Sequence, residues 1–235
     1  MTIYDNIKGF VTSSLVDWDG KIAATIFLGA CNFKCRFCSN KELVLESDKL
    51  KSISFKEIKE SLEKNREFID GIVISGGEPT IYSDLPDLCE KIKKLGFKVK
   101  VDTNGSNPEM LLILLDRNLA DCVAMDIKTS FSKYKEITNF DDIEKIKKSI
   151  LLVSRFPEYE FRTTLFPEIK KEDLLEISEY LKKNNANKAF FLQQFRNWDC
   201  IDKSAEEIKP YKKEEIENFL NLVRNYFDKS GVRNI

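Results

Sequence analysis

The chain has 235 residues, 42% of them hydrophobic, which is enough to bury the core of one α/β domain. Its 38 Lys and Arg against 39 Asp and Glu leave a net charge of −1, so no global electrostatic drive toward nucleic acid or an anionic membrane exists. No apolar run has the length of a membrane span, and the first twenty residues lack the basic-then-apolar order of a signal peptide. The expectation is a cytoplasmic, reducing compartment, where six cysteines are more readily free, metal-bound or catalytic than disulfide-bonded.

In chain order, β-prone apolar runs lie at 22–28, 71–75, 98–101, 122–127, 159–165 and 188–195. Helical spacing fills the segments between and after them, at 54–68, 85–94, 108–118, 142–154, 171–183 and 212–227. Ser54, with Glu57 three residues later, predicts a capping box at the first of these helices. This alternation implies βαβ units, a parallel sheet and right-handed crossovers. Six such units suit either a doubly wound sheet or a partly closed barrel, and periodicity leaves that choice open. No low-complexity tract or Pro/Gly-rich linker divides the chain, so residues 1–235 read as one domain with a C-terminal helical segment at about 210–229.

Directly after the first run, "GACNFKCRFCSN" (29–40) places Cys31, Cys35 and Cys38 on one short loop. A structural zinc site takes four protein ligands, and this chain has no histidine. The fourth ligand would have to be Cys89, Cys122, Cys200 or a carboxylate, and those three cysteines are scattered and read as packing or free thiols. Three thiolates on an iron–sulfur cube leave one iron open to a small molecule, which accounts for the missing ligand more simply. Zinc and a redox thiol set are the competing explanations.

Polar groups then recur at strand ends. Gly76, Gly77, Glu78 and Pro79 follow the second run, where two glycines permit close backbone approach or a tight turn. Asp102, Thr103, Asn104 and Gly105 end the third run, and Asp126 and Lys128, two apart and so on one face, end the fourth. Arg162 interrupts an otherwise β-prone run and needs a partner, such as an anionic carboxylate in a barrel interior. Gln193, Gln194 and Arg196 end the sixth run, where the amides read an adenine or ribose or satisfy backbone groups. All of these fall at or just inside C-terminal strand ends, where (β/α) barrels gather ligands, and this favours a partial (β/α)6 barrel.

"CNFKCRFC" resembles the CxxxCxxC signature of radical S-adenosylmethionine (radical SAM) enzymes, with Phe37 at the usual aromatic position. The resemblance implies that Cys31, Cys35 and Cys38 hold a 4Fe–4S cluster whose open iron binds the amino and carboxylate groups of S-adenosylmethionine. Reductive cleavage then yields a 5′-deoxyadenosyl radical that abstracts hydrogen from the substrate. "VISGGEPT" resembles the family's GGEP motif, implying contact with the cofactor amino group, with Glu78 accepting from the ammonium. "VKVDTNGS" and "CVAMDIKTS" resemble the DTNG and (M/L)DxK motifs of enzymes that activate glycyl-radical proteins. They imply that Asp102, Thr103 and Asp126 sit beside the cofactor carboxylate, together with a monovalent cation, and that Lys128 lies nearby.

The resemblance runs from about Gly9 to the sixth strand. "SLVDWDGK" is similar to the start of activating enzymes, with Asp19 in place of a proline; Ser39 and Lys41 replace their His and Pro. "FLQQFR" resembles the last strand of anaerobic ribonucleoside-triphosphate reductase activating proteins. The implied reaction is hydrogen abstraction from a glycine Cα of a partner glycyl-radical enzyme, with reduced flavodoxin or ferredoxin as electron donor and a single cluster. The competing expectations are a radical SAM enzyme acting on a small molecule or RNA, and a non-enzymatic metal-binding interaction protein.

Overall fold

Apolar strands and amphipathic helices must cover one another's faces, and the computed structural model of this chain, which describes residues 2–233, does so with one sheet. The first half runs β1 (Ile7–Ser14), β2 (Ala23–Leu28), α1 (Lys41–Leu45), α2 (Phe55–Lys64), β3 (Gly71–Gly76), α3 (Leu85–Lys94), β4 (Lys98–Thr103), α4 (Pro108–Asp116) and β5 (Cys122–Asp126). The second runs α5 (Tyr134–Thr138), α6 (Ile143–Val153), β6 (Glu158–Leu165), α7 (Lys171–Lys183), β7 (Ala189–Gln194), α8 (Lys203–Glu206), α9 (Lys213–Val223) and β8 (Lys229–Arg233). Among the described residues, no helix is long and apolar enough to cross a membrane.

The eight strands lie in sequence order, β1 antiparallel to β2 and every later pair parallel. Sequential order without a switch point belongs to a barrel rather than a doubly wound sheet. β1 and β8 do not pair, so the barrel is partial. The six expected units are β2 to β7, and two strands went unforeseen. β1 is an irregular edge strand with register shifts, half exposed, and its apolar pattern is correspondingly weak. β8, "KSGVR", carries one apolar residue and exists because β7 offers it a ladder. The helix expected to reach 227 ends at Val223, and Phe227 instead stacks on Phe190, with centroids 4.7 Å apart.

Strand periodicity divides the sheet's two faces. Ile26, Ile72, Val99, Val123, Phe161 and Phe190 turn outward and are fully buried under the helices. The helices answer with pairs four residues apart, such as Ile58 and Leu62 on α2 or Ile146 and Ile150 on α6. Burying each such side chain stabilises the fold by about 1.5–3 kcal/mol. The expected capping box is present: Ser54 Oγ accepts from Glu57 N–H at 3.2 Å, and Glu57 Oε2 accepts from Ser54 N–H at 3.0 Å.

The concave face is polar instead, with Thr25, Lys100, Asp102, Asp126, Glu160 and Arg162 pointing inward. Loop 15–20 spans the open side beneath them. Lys100 Nζ donates to the Asp17 carbonyl at 2.6 Å, and Thr25 Oγ1 donates to the Asp17 carboxylate at 2.7 Å. Asp19 pairs with Lys229 and Arg233 of β8 at 3.1 and 2.9 Å. Arg233 forks onto Glu160 at 2.7 and 2.8 Å, and Glu160 also meets Lys100 at 3.1 Å. Asp19 thus ties the loop to β8, so side chains link edges that the backbone leaves unpaired.

Burial opposes the charge of Glu160, but Arg233, Lys100 and Arg162 outweigh it and hold its carboxyl at about 2. A carboxylate held below its unfolded value contributes stability above about pH 4.3, which is lost as pH falls toward the folded value. Arg233→Ala should therefore cost about 1–3 kcal/mol at neutral pH by urea unfolding. The gap to the unaltered protein should narrow between pH 4 and pH 2; a gap independent of pH would contradict the assignment.

Candidate functional site

The loop that follows β2 is held from every side. Lys34 and Arg36 N–H groups donate to the carbonyls of Thr138 and Ile137 at the end of α5, at 3.0 and 3.2 Å. Ile201 and Asp202 N–H groups donate to the carbonyls of Cys38 and Arg36, both at 3.1 Å. Arg36 adds ion pairs to Glu168 at 2.7 Å and Asp202 at 2.9 Å. Phe33 packs against Phe140 and Tyr134, and Phe37 against Phe166 at 5.3 Å. These anchors fix the backbone that carries Cys31, Cys35 and Cys38.

The glycine pair at the end of β3 has a specific steric cause. Gly77 N–H donates to Leu28 O at 2.8 Å and Glu78 N–H to Ala30 O at 2.9 Å, so the two loops touch through backbone. A Cβ on Gly77 would lie 1.7 Å from Ala30 O, and Gly76 combines a φ of 111° with Leu28 backbone 2.4 Å from the place a Cβ would occupy. Only glycine fits either position.

Glu78 follows the glycines in the same turn. Its side chain is 1% exposed, and its oxygens are already engaged. Oε1 accepts from Thr80 N–H at 3.0 Å and from the hydroxyls of Thr80 and Thr103 at 2.5 and 2.7 Å, while Oε2 accepts from Asn104 N–H at 2.6 Å. Burial raises its pKa against the pull of those donors. Those contacts brace two loops, and the side chain still borders the cavity described below. Asn104 extends the brace, its Nδ2 reaching Asn32 Oδ1 at 3.0 Å and Cys31 Sγ at 3.8 Å.

Arg162 also finds its partners within the protein. Its Nε donates to Asp126 Oδ1 at 2.7 Å and its Nη1 to Asp102 Oδ2 at 3.2 Å, so it does not stand as a lone receptor for an anion. Burial works against its charge, but the two aspartates outweigh it and set its pKa well above the ordinary value. Lys128 Nζ meets Asp126 Oδ2 at 3.0 Å. Burial opposes both charges of that pair, yet Asp126, flanked by Arg162 and Lys128, lies below the usual carboxylate range and Lys128 above the usual lysine range. Asp102 accepts from Ser75 Oγ at 3.0 Å through Oδ2, while its Oδ1 is buried without a hydrogen-bond partner among the described residues.

These groups surround one cavity of about 340 Å³, at the lower end of the roughly 300–1,000 Å³ usual for small-molecule sites. Cys31, Cys35, Cys38 and Phe37 line one side, with Gly76, Gly77 and Glu78 next to them. Asp102, Thr103, Asn104, Asp126, Lys128, Arg162, Gln193, Gln194 and Arg196 complete the wall. Pro79 is buried in the turn behind it and is not part of the lining. Gln194 Nε2 donates to Tyr211 O at 2.9 Å, leaving its buried Oε1 without a partner among the described residues. Cys89, Cys122 and Cys200 are buried away from the lining.

Sequence reasoning missed Asp17, which lines the cavity, and the supports Arg36, Lys100 and Glu160. The alternation of charge with apolar residues in "KVKVDT" and "EYEFRTTL" was the available signal, since it marks strands with one polar face.

Burial pushes the Cys31 and Cys35 thiols up to about 12 and also raises Cys38, so a metal that takes these sulfurs must displace their protons. Among the described residues, no three Cys, His, Asp or Glu side chains converge on a point that could hold a single metal ion. Three thiols on one cavity wall are a donor set that suits a cluster, in which each sulfur takes a different iron.

The family model "Radical SAM superfamily" matches residues 25–181. A Methanocaldococcus jannaschii protein, named as a proposed glycyl-radical enzyme activating enzyme, is 34% identical over 237 residues, covering 97% of this chain and 96% of its own. Streptococcus suis SuiB bound to S-adenosylmethionine superposes with a TM-score of 0.68 at 17% identity, over 87% of this chain and 48% of its own. A domain of pyruvate-formate lyase-activating enzyme from Bacteroides vulgatus gives 0.56 at 17% identity, over 70% of this chain and 99% of its own. At those identities the two structures speak to fold alone.

Glu78→Ala should leave four donors without their acceptor and cost about 1–3 kcal/mol, read as a lower urea midpoint. Full stability in that variant would show that the brace is dispensable.

Proposed function

The chain belongs to the radical SAM superfamily and is an enzyme; from that membership we propose that it installs a glycyl radical on a partner protein. The observation that carries the reading is the end-to-end match to the Methanocaldococcus jannaschii relative, which spans nearly the whole of both chains. A match confined to the cysteine loop and strand ends would speak only for the shared cofactor chemistry.

In this reading Cys31, Cys35 and Cys38 hold a 4Fe–4S cluster, and S-adenosylmethionine fills the remainder of the cavity. When bound and reduced, that pair supplies a 5′-deoxyadenosyl radical. The protein's own groups bind and orient. Asp102 Oδ1, 3.8 Å from Lys100 Nζ and without a hydrogen bond among the described residues, would accept from the cofactor ammonium or hold a monovalent cation. Lys128 and Arg162, each already steadied by an aspartate, would pair with the cofactor carboxylate. Gln194, its amide nitrogen committed to Tyr211, would offer its carbonyl oxygen, which has no hydrogen bond among the described residues, to the adenine amino group. Phe37 and Phe195 line the cavity and pack on Phe166, tilted at 5.3 Å and edge-to-face at 5.1 Å, and would form an apolar flank that keeps water from a reactive carbon radical. A reduced flavodoxin or ferredoxin is the electron donor.

The test is anaerobic reconstitution with iron and sulfide, followed by S-adenosylmethionine, a reductant and anaerobic ribonucleotide reductase. A glycyl doublet in the electron paramagnetic resonance spectrum is expected, and Cys31→Ala, Cys35→Ala or Cys38→Ala should each abolish it while the circular dichroism spectrum is retained. Formation of 5′-deoxyadenosine without a glycyl doublet, across a panel of glycyl-radical enzymes, would overturn the activating role and leave the cofactor chemistry standing. Arg162→Ala should raise the Kd for S-adenosylmethionine more than tenfold with unchanged iron content, measured by equilibrium binding.

A further inference from the structure

We propose that Trp198 and Arg196, on the loop between β7 and α8, form the docking anchor for the polypeptide segment that carries the reacting residue of the protein substrate. The inference rests on the activating role proposed above and adds the surface that the partner uses. Trp198 is 56% exposed, whereas Trp18, the other tryptophan of the chain, is 3% exposed. The Arg196 guanidinium lies 5.2 Å from the Trp198 ring and makes no ion pair among the described residues. Arg196 also lines the cavity, so the pair is continuous with the site rather than remote from it. Exposed Trp and Arg side by side are the residue types that most often dominate binding between proteins.

The loop is built to present them. Asn197 Nδ2 donates to Glu206 O at 3.1 Å, and Cys200 N–H donates to Glu206 Oε1 at 3.0 Å. Asp199, between them, takes a left-handed φ of 53° that turns the chain. Just beyond, the Ile201 and Asp202 N–H groups bind the carbonyls of Cys38 and Arg36 at 3.1 Å, fixing the loop to the cysteine-bearing segment. A tryptophan left exposed on a braced loop loses little conformational freedom on binding.

The occupant follows from size and charge. A cavity of about 340 Å³ that takes the cofactor leaves the reacting atom of a second molecule to arrive through the mouth. Val44 of α1 also lines the cavity, and the neighbouring Leu45 is 43% exposed, adding apolar contact. A net charge of −1 does not suit a phosphate backbone, which needs several cations along its path. An extended protein segment fits, with an apolar side chain on Trp198 and a carbonyl or carboxylate on Arg196.

The probe is a synthetic peptide spanning the glycyl loop of anaerobic ribonucleotide reductase, added to the reconstituted enzyme with S-adenosylmethionine. Because Trp18 is shielded, docking should move the tryptophan emission through Trp198, and Trp198→Phe should lose that signal while keeping most affinity. Trp198→Ala should raise Kd about thirtyfold, the ~2 kcal/mol expected of an aromatic anchor. It should lower glycyl-radical yield at limiting partner, while 5′-deoxyadenosine formation without partner continues. Arg196→Ala should weaken docking in the same direction. Radical formation by the unaltered enzyme, matched by Trp198→Ala at the same Kd, would overturn the anchor alone. Failure of the unaltered enzyme to form any glycyl radical would overturn the activating role and the anchor together.

Discussion

A carboxylate sealed from water has to find its hydrogen bonds inside the protein, and Glu78 obtains its donors from three separate places. Thr80 belongs to its own turn, Thr103 to the end of β4, and Asn104 to the segment beyond. The neighbouring glycines bring that turn against Leu28 and Ala30, where the cysteine loop begins. The ends of β2, β3 and β4 therefore hold one another, and the cysteines inherit their placement from that contact. An unpaired charge in the same position would cost several kcal/mol, so the loops and the carboxylate are ordered together.

The concave face is organised by the same requirement. Asp102, Asp126 and Arg162 come from three adjacent strands, and each neutralises its neighbour in a setting where an isolated charge could not persist. Lys100, Glu160, Arg233 and Asp19 continue the alternation of sign beneath them. Such a lattice is preorganised. A zwitterionic ligand with a fixed positive sulfonium meets oriented charges that do not need to rearrange, which lowers the cost of binding. It also explains how an open sheet keeps a defined interior without a β1–β8 ladder.

Much of the fold was legible before any coordinates. The alternation of β-prone and helical segments led to β2 through β7, and Ser54 with Glu57 marked a helix start that the structure contains. β1 and β8 escaped because edge strands of mixed polarity carry weak periodicity and take their form from a partner's ladder. Nearly every residue singled out from the sequence lines one cavity. The pairings were not legible. Nothing in the sequence showed that Arg162 meets Asp102 and Asp126, or that Thr80, Thr103 and Asn104 all donate to Glu78.

What the sequence determined by itself is local chemistry: three thiols on one loop, glycines at a strand end, a capped helix, and acid and base at the ends of parallel strands. These depend on residues a few positions apart, whose relation the chain's covalent geometry dictates. The tertiary structure alone decided which charges meet. Asp102 and Arg162 are 60 residues apart, and Lys229 and Asp19 are 210 apart. Register sets Asp126 beside Arg162 with Asp102 one inward position earlier on its strand, and the loop after β1 carries Asp19 to β8; both depend on the arrangement of the whole sheet.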